Sequence, residues 1–221
     1  DFELPVGVSR NHIEDDNLGI YTPKFTMMGE SVGRLPEEFN FGALAKAEEM
    51  ECFDGQNYFD TDHPNTDENG QDVTYSNIIA GAGPKWFLID DRSYMKPLIK
   101  QVRKPMDDLI RMDSETDANV FMKKEFLYGV DGRHAVGFSF PQLAVQSQAT
   151  LNPTNYEAAR VRIGEMRGDN GRKLGLKGSL LVVPTALEGA ARGILTSQLD
   201  NGGESNKWAG SAELLVCPWL D

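Results

Sequence analysis

The chain has 221 residues, 40% hydrophobic and 25% charged, with 34 acidic against 22 basic side chains and a net charge of −12. That length allows one large domain or two small ones, and a core that needs no disulfide or metal. Proteins that grip nucleic acid through its phosphates cluster Lys and Arg; here the basic residues are scattered, with small groups only at 100–104 and 167–177. The longest apolar runs, such as 180–184, fall far short of the roughly 18 residues that span a bilayer. Two cysteines, Cys52 and Cys217, are too few for a secreted disulfide framework and form no CxxC pair, which points to a reducing compartment.

Phe2, Leu4, Val6 and Val8 alternate with Asp1, Glu3, Pro5 and Gly7, the period of a strand with one apolar face. Pro5 has no N–H to give and confines that strand to an edge. The simplest partner is a hairpin mate just upstream, so the sequence reads as part of a longer protein. Asn11 is the expected cap of a helix whose first turn carries Glu14, Asp15 and Asp16, negative charge at the positive end of the dipole. Phe25, Met28, Val32 and Leu35 then form one apolar stripe, continued by Phe39, Ala43 and Ala47. Pro23 and Pro36 each suit a first turn, so the pattern predicts a long, interrupted amphipathic helix.

Residues 54–72 are the most polar stretch and read as loop. Asn65, Asp67, Asn69 and Gly70 imitate the spacing of a calcium loop, but its first position is Asn and its twelfth is Ser76, not a bidentate Glu. His63 stands beside Asp60 and Asp62 with no second His near, so a surface turn is expected and no metal. Strand patterns follow at 86–89, 98–102 and 126–145, the last punctuated by Gly129, Gly132 and Gly137, which suggest bulges or bends. His134 in that stretch reads as a hydrogen-bonded structural histidine.

In the last third, Thr154 with Glu157 and Thr185 with Glu188 form two capping boxes. The first opens a helix with Tyr156, Ala159, Ile163 and Met166 on one face; the second opens one carrying Leu187, Ala190, Ala191, Ile194 and Leu195. Strands are expected at 180–183 and 213–217, with a Gly/Asn/Ser-rich loop at 198–207 before the last. Mixed elements without βαβ repetition predict an α+β fold. The sequence holds no GxSxG, Walker loop, GxGxxG after a strand or HExxH. It is therefore read as a non-enzyme with no catalytic, cofactor-binding or metal residues.

Several segments resemble, in order, the major head subunits of Mu-like bacteriophages and prophages. They are IEDDNLGIYTPKF (13–25), DGQNYFDTDHP (54–64), WFLIDDRSYMKPLIKQVRKP (86–105), FMKKEFLYGVDGRHAVGFSFPQLA (121–144), LLVVPTALEGAARGIL (180–195) and AELLVCPWL (212–220). The resemblance implies the Hong-Kong-97-type capsid fold. Residues 1–10 would be the descending strand of an extended loop whose remainder is missing, and 11–150 a peripheral domain with its spine helix at about 13–50. Residues 151–210 would form an axial domain and 211–221 a C-terminal strand.

It also implies a structural role in the virion capsid, assembled in the bacterial cytoplasm. The implied partners are identical subunits in pentamers and hexamers, a scaffold or maturation protease, a portal and decoration proteins. Double-stranded DNA would be enclosed without sequence-specific binding, and no membrane is involved. Two surfaces are candidate assembly contacts: the acidic helix start (Glu14, Asp15, Asp16) and the 198–207 loop (Asp200, Asn201, Glu204, Asn206). The alternatives are a phage-encoded decoration or binding protein and, at greater distance, a metal-dependent hydrolase built around Asp60, Asp62 and His63.

Overall fold

The computed structural model describes residues 1–15, 19, 21–199 and 203–221. In chain order they form β1 (Phe2–Ser9), α1 (Arg10–Glu14), α2 (Tyr21–Ala45), β2 (His63–Thr66), β3 (Asp72–Tyr75), β4 (Ile78–Ile79), β5 (Trp86–Ile89) and β6 (Leu98–Lys104). There follow β7 (Ile110–Met112), α3 (Ala118–Lys123), β8 (Glu125–Phe138), β9 (Ala144–Ser147), α4 (Pro153–Glu165), β10 (Leu180–Val183), α5 (Glu188–Leu195) and β11 (Glu213–Val216). The chain divides into two compact units, one of Asp1–Phe39 with Lys100–Val136, the other of Asn40–Ile99 with Gly137–Asp221.

In the first unit β1 lies at the edge of the β1–β8–β6 sheet, and β7 also pairs with β8. β1 pairs on its inner side with β8, antiparallel from Phe2↔Gly132 to Ser9↔Glu125. Pro5 sits opposite Gly129 on this edge, where a missing N–H is tolerated. The register passes Gly129 and Gly132 without a bulge. What Gly129 supplies is closeness, since a Cβ there would stand 3.3 Å from the Leu4 carbonyl oxygen.

The helix expected over 13–50 is instead the short α1 followed by α2. Ser9, not Asn11, takes the N-cap position of α1 and makes no side-chain capping bond. Pro36 lies inside α2 rather than opening a new helix, leaving the Val32 carbonyl without its i+4 donor. The apolar stripe outweighs that loss. Met28 is buried, Phe25 meets Tyr128 edge-on at 4.9 Å, and Phe39 lies 4.1 Å from the Phe2 ring.

The second unit is built on a five-stranded mixed sheet, β11–β10–β5–β9–β4, parallel at β10/β11 and β4/β9 and antiparallel at β5/β10 and β5/β9. Trp86 and Leu88 of β5 enter a core with Val145, Leu181, Val183 and the buried faces of α4 and α5. Phe87 and Ile89 enter a second core with Leu44, Tyr58, Phe59 and Val182. Both faces are covered, which is why WFLI and LLVV are continuous apolar runs without alternation. Burying each such side chain contributes about 1.5–3 kcal/mol.

Two capping expectations give way here. Asn152, not Thr154, caps α4: its Oδ1 accepts the Asn155 N–H at 2.8 Å, and Pro153 takes the first helical position. Thr185 opens a 3-10 turn that runs into α5, whose N-cap, Leu187, has no capping bond. The polar stretch expected to be loop contains β2 and the turn that leads from it into β3, with Asp67 holding that turn by accepting the N–H groups of Asn69 and Gln71, both at 2.8 Å.

Candidate assembly surfaces and a side-chain cluster

Both surfaces singled out in the sequence are partly visible. Glu14 is exposed at the end of α1 and lies 3.7 Å from Arg10, one helical turn away. Asp15, also exposed, is the C-cap of α1, its N–H directed back to the Asn11 and Ile13 carbonyls. Asp16 lies outside the described residues, as do Asp200 and Asn201. Glu204 is exposed. Asn206 works within the subunit: its Nδ2 donates to the Ile194 and Ser197 carbonyls, both at 2.8 Å, and its Oδ1 accepts the Trp208 N–H at 2.9 Å. It thereby satisfies carbonyls left open at the end of α5.

A set of apolar side chains in the first unit escaped the sequence reading. Phe121 and Met122 of α3 are 82% and 79% exposed, and Ile110 and Met112 of β7 are also exposed. Exposed apolar side chains of this size are uncommon on a free protein surface when they adjoin one another, as α3 and β7 do through the Asn119 amide on the Met112 carbonyl. Their signal was present in the run FMKK, whose apolar pair follows no core-facing period. His134 departs from expectation too. Its Nδ1 is buried with no hydrogen-bond partner, and burial together with the Lys100 ammonium pushes its pKa down.

The residues weighed as metal ligands are sorted differently by the fold. Asp60 accepts the Thr61 N–H, and its own N–H donates to Asn77, away from any ligand set. His63 turns to Asp54, with Nδ1 2.8 Å from Oδ2, and Cys52 Sγ donates to Asp54 Oδ1 at 3.0 Å. Among the described residues, Cys52, Asp54 and His63 are the trio whose ligand atoms converge, all within 4.8 Å of one another. Burial pushes the Cys52 thiol up to about 12, reinforced by the adjacent Asp54 carboxylate. Burial also works against the Asp54 charge, but hydrogen bonds from Cys52, His63 and the Gln56 N–H outweigh it and hold that carboxyl low.

The model of the Mu-like prophage major head subunit family, gpT, matches residues 1–220. The chain belongs to that family. It is 40% identical to the major capsid protein of Escherichia phage Mu, over 99% of this chain and 74% of that protein. Its structure superposes on a subunit of the bacteriophage JBD30 procapsid with a TM-score of 0.83 and 41% identity, covering 99% of this chain and 75% of that one. A JBD30 capsid decorated with minor capsid protein trimers gives a TM-score of 0.83 at 28% identity, covering 100% and 74%. The α+β fold is thus that of phage major capsid proteins, the Hong-Kong-97 type, and the head subunit is a structural protein of the virion capsid. No helix among the described residues is long and apolar enough to cross a membrane.

Proposed function

We propose that copies of this head subunit form the pentamers and hexamers of an icosahedral shell that encloses double-stranded DNA. The observation that carries this reading is the match, along nearly the whole chain, to subunits of a JBD30 head. The role is mechanical, with no catalysis. Identical chains in slightly different surroundings need many modest contacts rather than one rigid lock. Glu14, Asp15, Asp16, Asp200, Asn201 and Glu204, with exposed Phe121 and Met122, supply such contacts, while Asn206 acts through the end of α5 that its side chain holds. Residues 1–10 serve as a strand of the extended loop, 11–150 as the peripheral domain, 151–210 as the axial domain and 211–221 as a closing strand.

The net charge of −12 suits a container, because an inner wall that gripped phosphates would hinder packaging and release. Further partners are a scaffold or maturation protease, a portal and minor capsid proteins of the kind that decorate the JBD30 capsid. The test is negative-stain electron microscopy of the full-length head subunit co-expressed with its scaffold. Closed, uniform shells are expected. Small defined oligomers without curvature would overturn the reading, and a strongly basic inner face would overturn the account of the charge.

A further inference from the structure

Cys52 and Asp54 sit on a tight turn fixed by its own backbone: the Cys52 N–H donates to the Gln56 carbonyl at 2.8 Å and Gly55 N–H to the Cys52 carbonyl at 3.2 Å. His63 comes from the first position of β2, wholly buried, with its ring stacked on Tyr75 at 5.0 Å. Its Nε2 is buried without a hydrogen-bond partner, and so is the Tyr75 hydroxyl. A thiol, a carboxylate and an imidazole thus face one another, with the unpartnered hydroxyl of the stacked Tyr75 beside them, on a turn and a strand held by backbone hydrogen bonds.

We infer that Cys52, Asp54 and His63 bind one divalent transition-metal ion of the zinc class. Sulfur, nitrogen and a single carboxylate are donors for such an ion, whereas calcium takes six to eight oxygens. Bonds of about 2.0–2.3 Å to zinc set tetrahedral ligand atoms about 3.3–3.8 Å apart. The Sγ–Oδ1 and Nδ1–Oδ2 separations of 3.0 and 2.8 Å fall on the two oxygens of one carboxylate, and with the ligand atoms all within 4.8 Å of one another the Asp54 carboxylate has only to turn to offer an oxygen to an ion between thiol and imidazole. On binding, the Cys52 proton leaves to solvent and the imidazole proton moves from Nδ1 to Nε2, freeing Nδ1 as a ligand. Thiolate and carboxylate together cancel the charge of the ion, so the buried site is neutral. The fourth position goes to a water entering beside exposed Phe53 and Gly55. The ion would staple the 52–56 turn to the β2–β3 hairpin.

Stripping the full chain of metal, then titrating it with zinc and separately with cobalt, tests this. One ion per chain is expected, together with a thiolate-to-cobalt charge-transfer band and a rise in Tm with zinc. Cys52→Ser should abolish the band and weaken binding by more than about tenfold, while Cys217→Ala keeps both. No bound ion, or a cobalt complex of the unaltered chain without a thiolate band, overturns the proposal whatever the variants do. Unchanged binding in Cys52→Ser overturns it equally.

Discussion

Asp90 lies wholly buried just past β5, and both of its oxygens accept from the Arg92 side chain, at 3.1 and 2.5 Å, while Lys177 N–H donates to Oδ2 at 2.7 Å. Burial pushes its pKa up, but those hydrogen bonds prevail and hold the carboxyl below its ordinary 3.8. A depressed folded value means that the stabilisation is complete above 3.8 and drains away as pH falls from there through the folded value. Arg92 is 48% exposed, which screens much of the pair. Asp90→Asn should therefore cost about 1.5 kcal/mol near neutral pH, and chemical denaturation should find that deficit shrinking toward acid. At this scale the sequence was a partial guide. His63 was visible as a lone histidine among carboxylates, yet its partner proved to be Asp54, nine residues back, because the 52–56 turn folds that side chain onto β2. Spacing along the chain carries no trace of such a meeting.

The elements were more legible where burial dictates residue type. The runs at 86–89 and 180–183 appear as β5 and β10 with the expected bounds, since a strand covered on both faces leaves no polar position to blur its ends. Helix starts were less legible, because several residues in a row can cap and only the local backbone chooses among them. Asn152 and Thr154 separate the two possibilities. Asn152→Ala should lower stability by about 1 kcal/mol, whereas Thr154→Ala, at an exposed position inside α4, should be nearly neutral by thermal denaturation. A second element-scale expectation concerns Gly81. A Cβ there would stand 2.1 Å from the Gln148 carbonyl carbon, in backbone that cannot swing aside. Gly81→Ala should cost about 1–3 kcal/mol, read as a lower Tm.

For the whole molecule, the decisive signal was distributed over six segments in order, from 13 to 220, and the matching family and capsid structures agree with it. No single residue carried it, because subunit contacts in a shell are spread over wide surfaces. Variants should therefore separate folding from assembly. Asp15→Lys, at an exposed helix end, should leave the subunit folded while impairing shell formation; normal shells would remove Asp15 from the contact set. Phe121→Asp places a charge where an apolar side chain stands 82% exposed. The circular dichroism spectrum should be unchanged while the yield of shells by sucrose-gradient sedimentation falls sharply.

One feature of β5 reaches beyond stability into sequence drift. Consecutive residues of this strand serve opposite cores, Trp86 and Leu88 one, Phe87 and Ile89 the other. An ordinary surface strand offers every second position to neutral change; this one offers none. Adaptation of a head to a new host or genome length must then proceed through the exposed segments, with these four positions held still. A saturation library scored for shell yield should show them as an unbroken block of intolerance, whereas exposed Ala80 and Ala82 on the N-terminal side accept substitution and Gly81 between them does not.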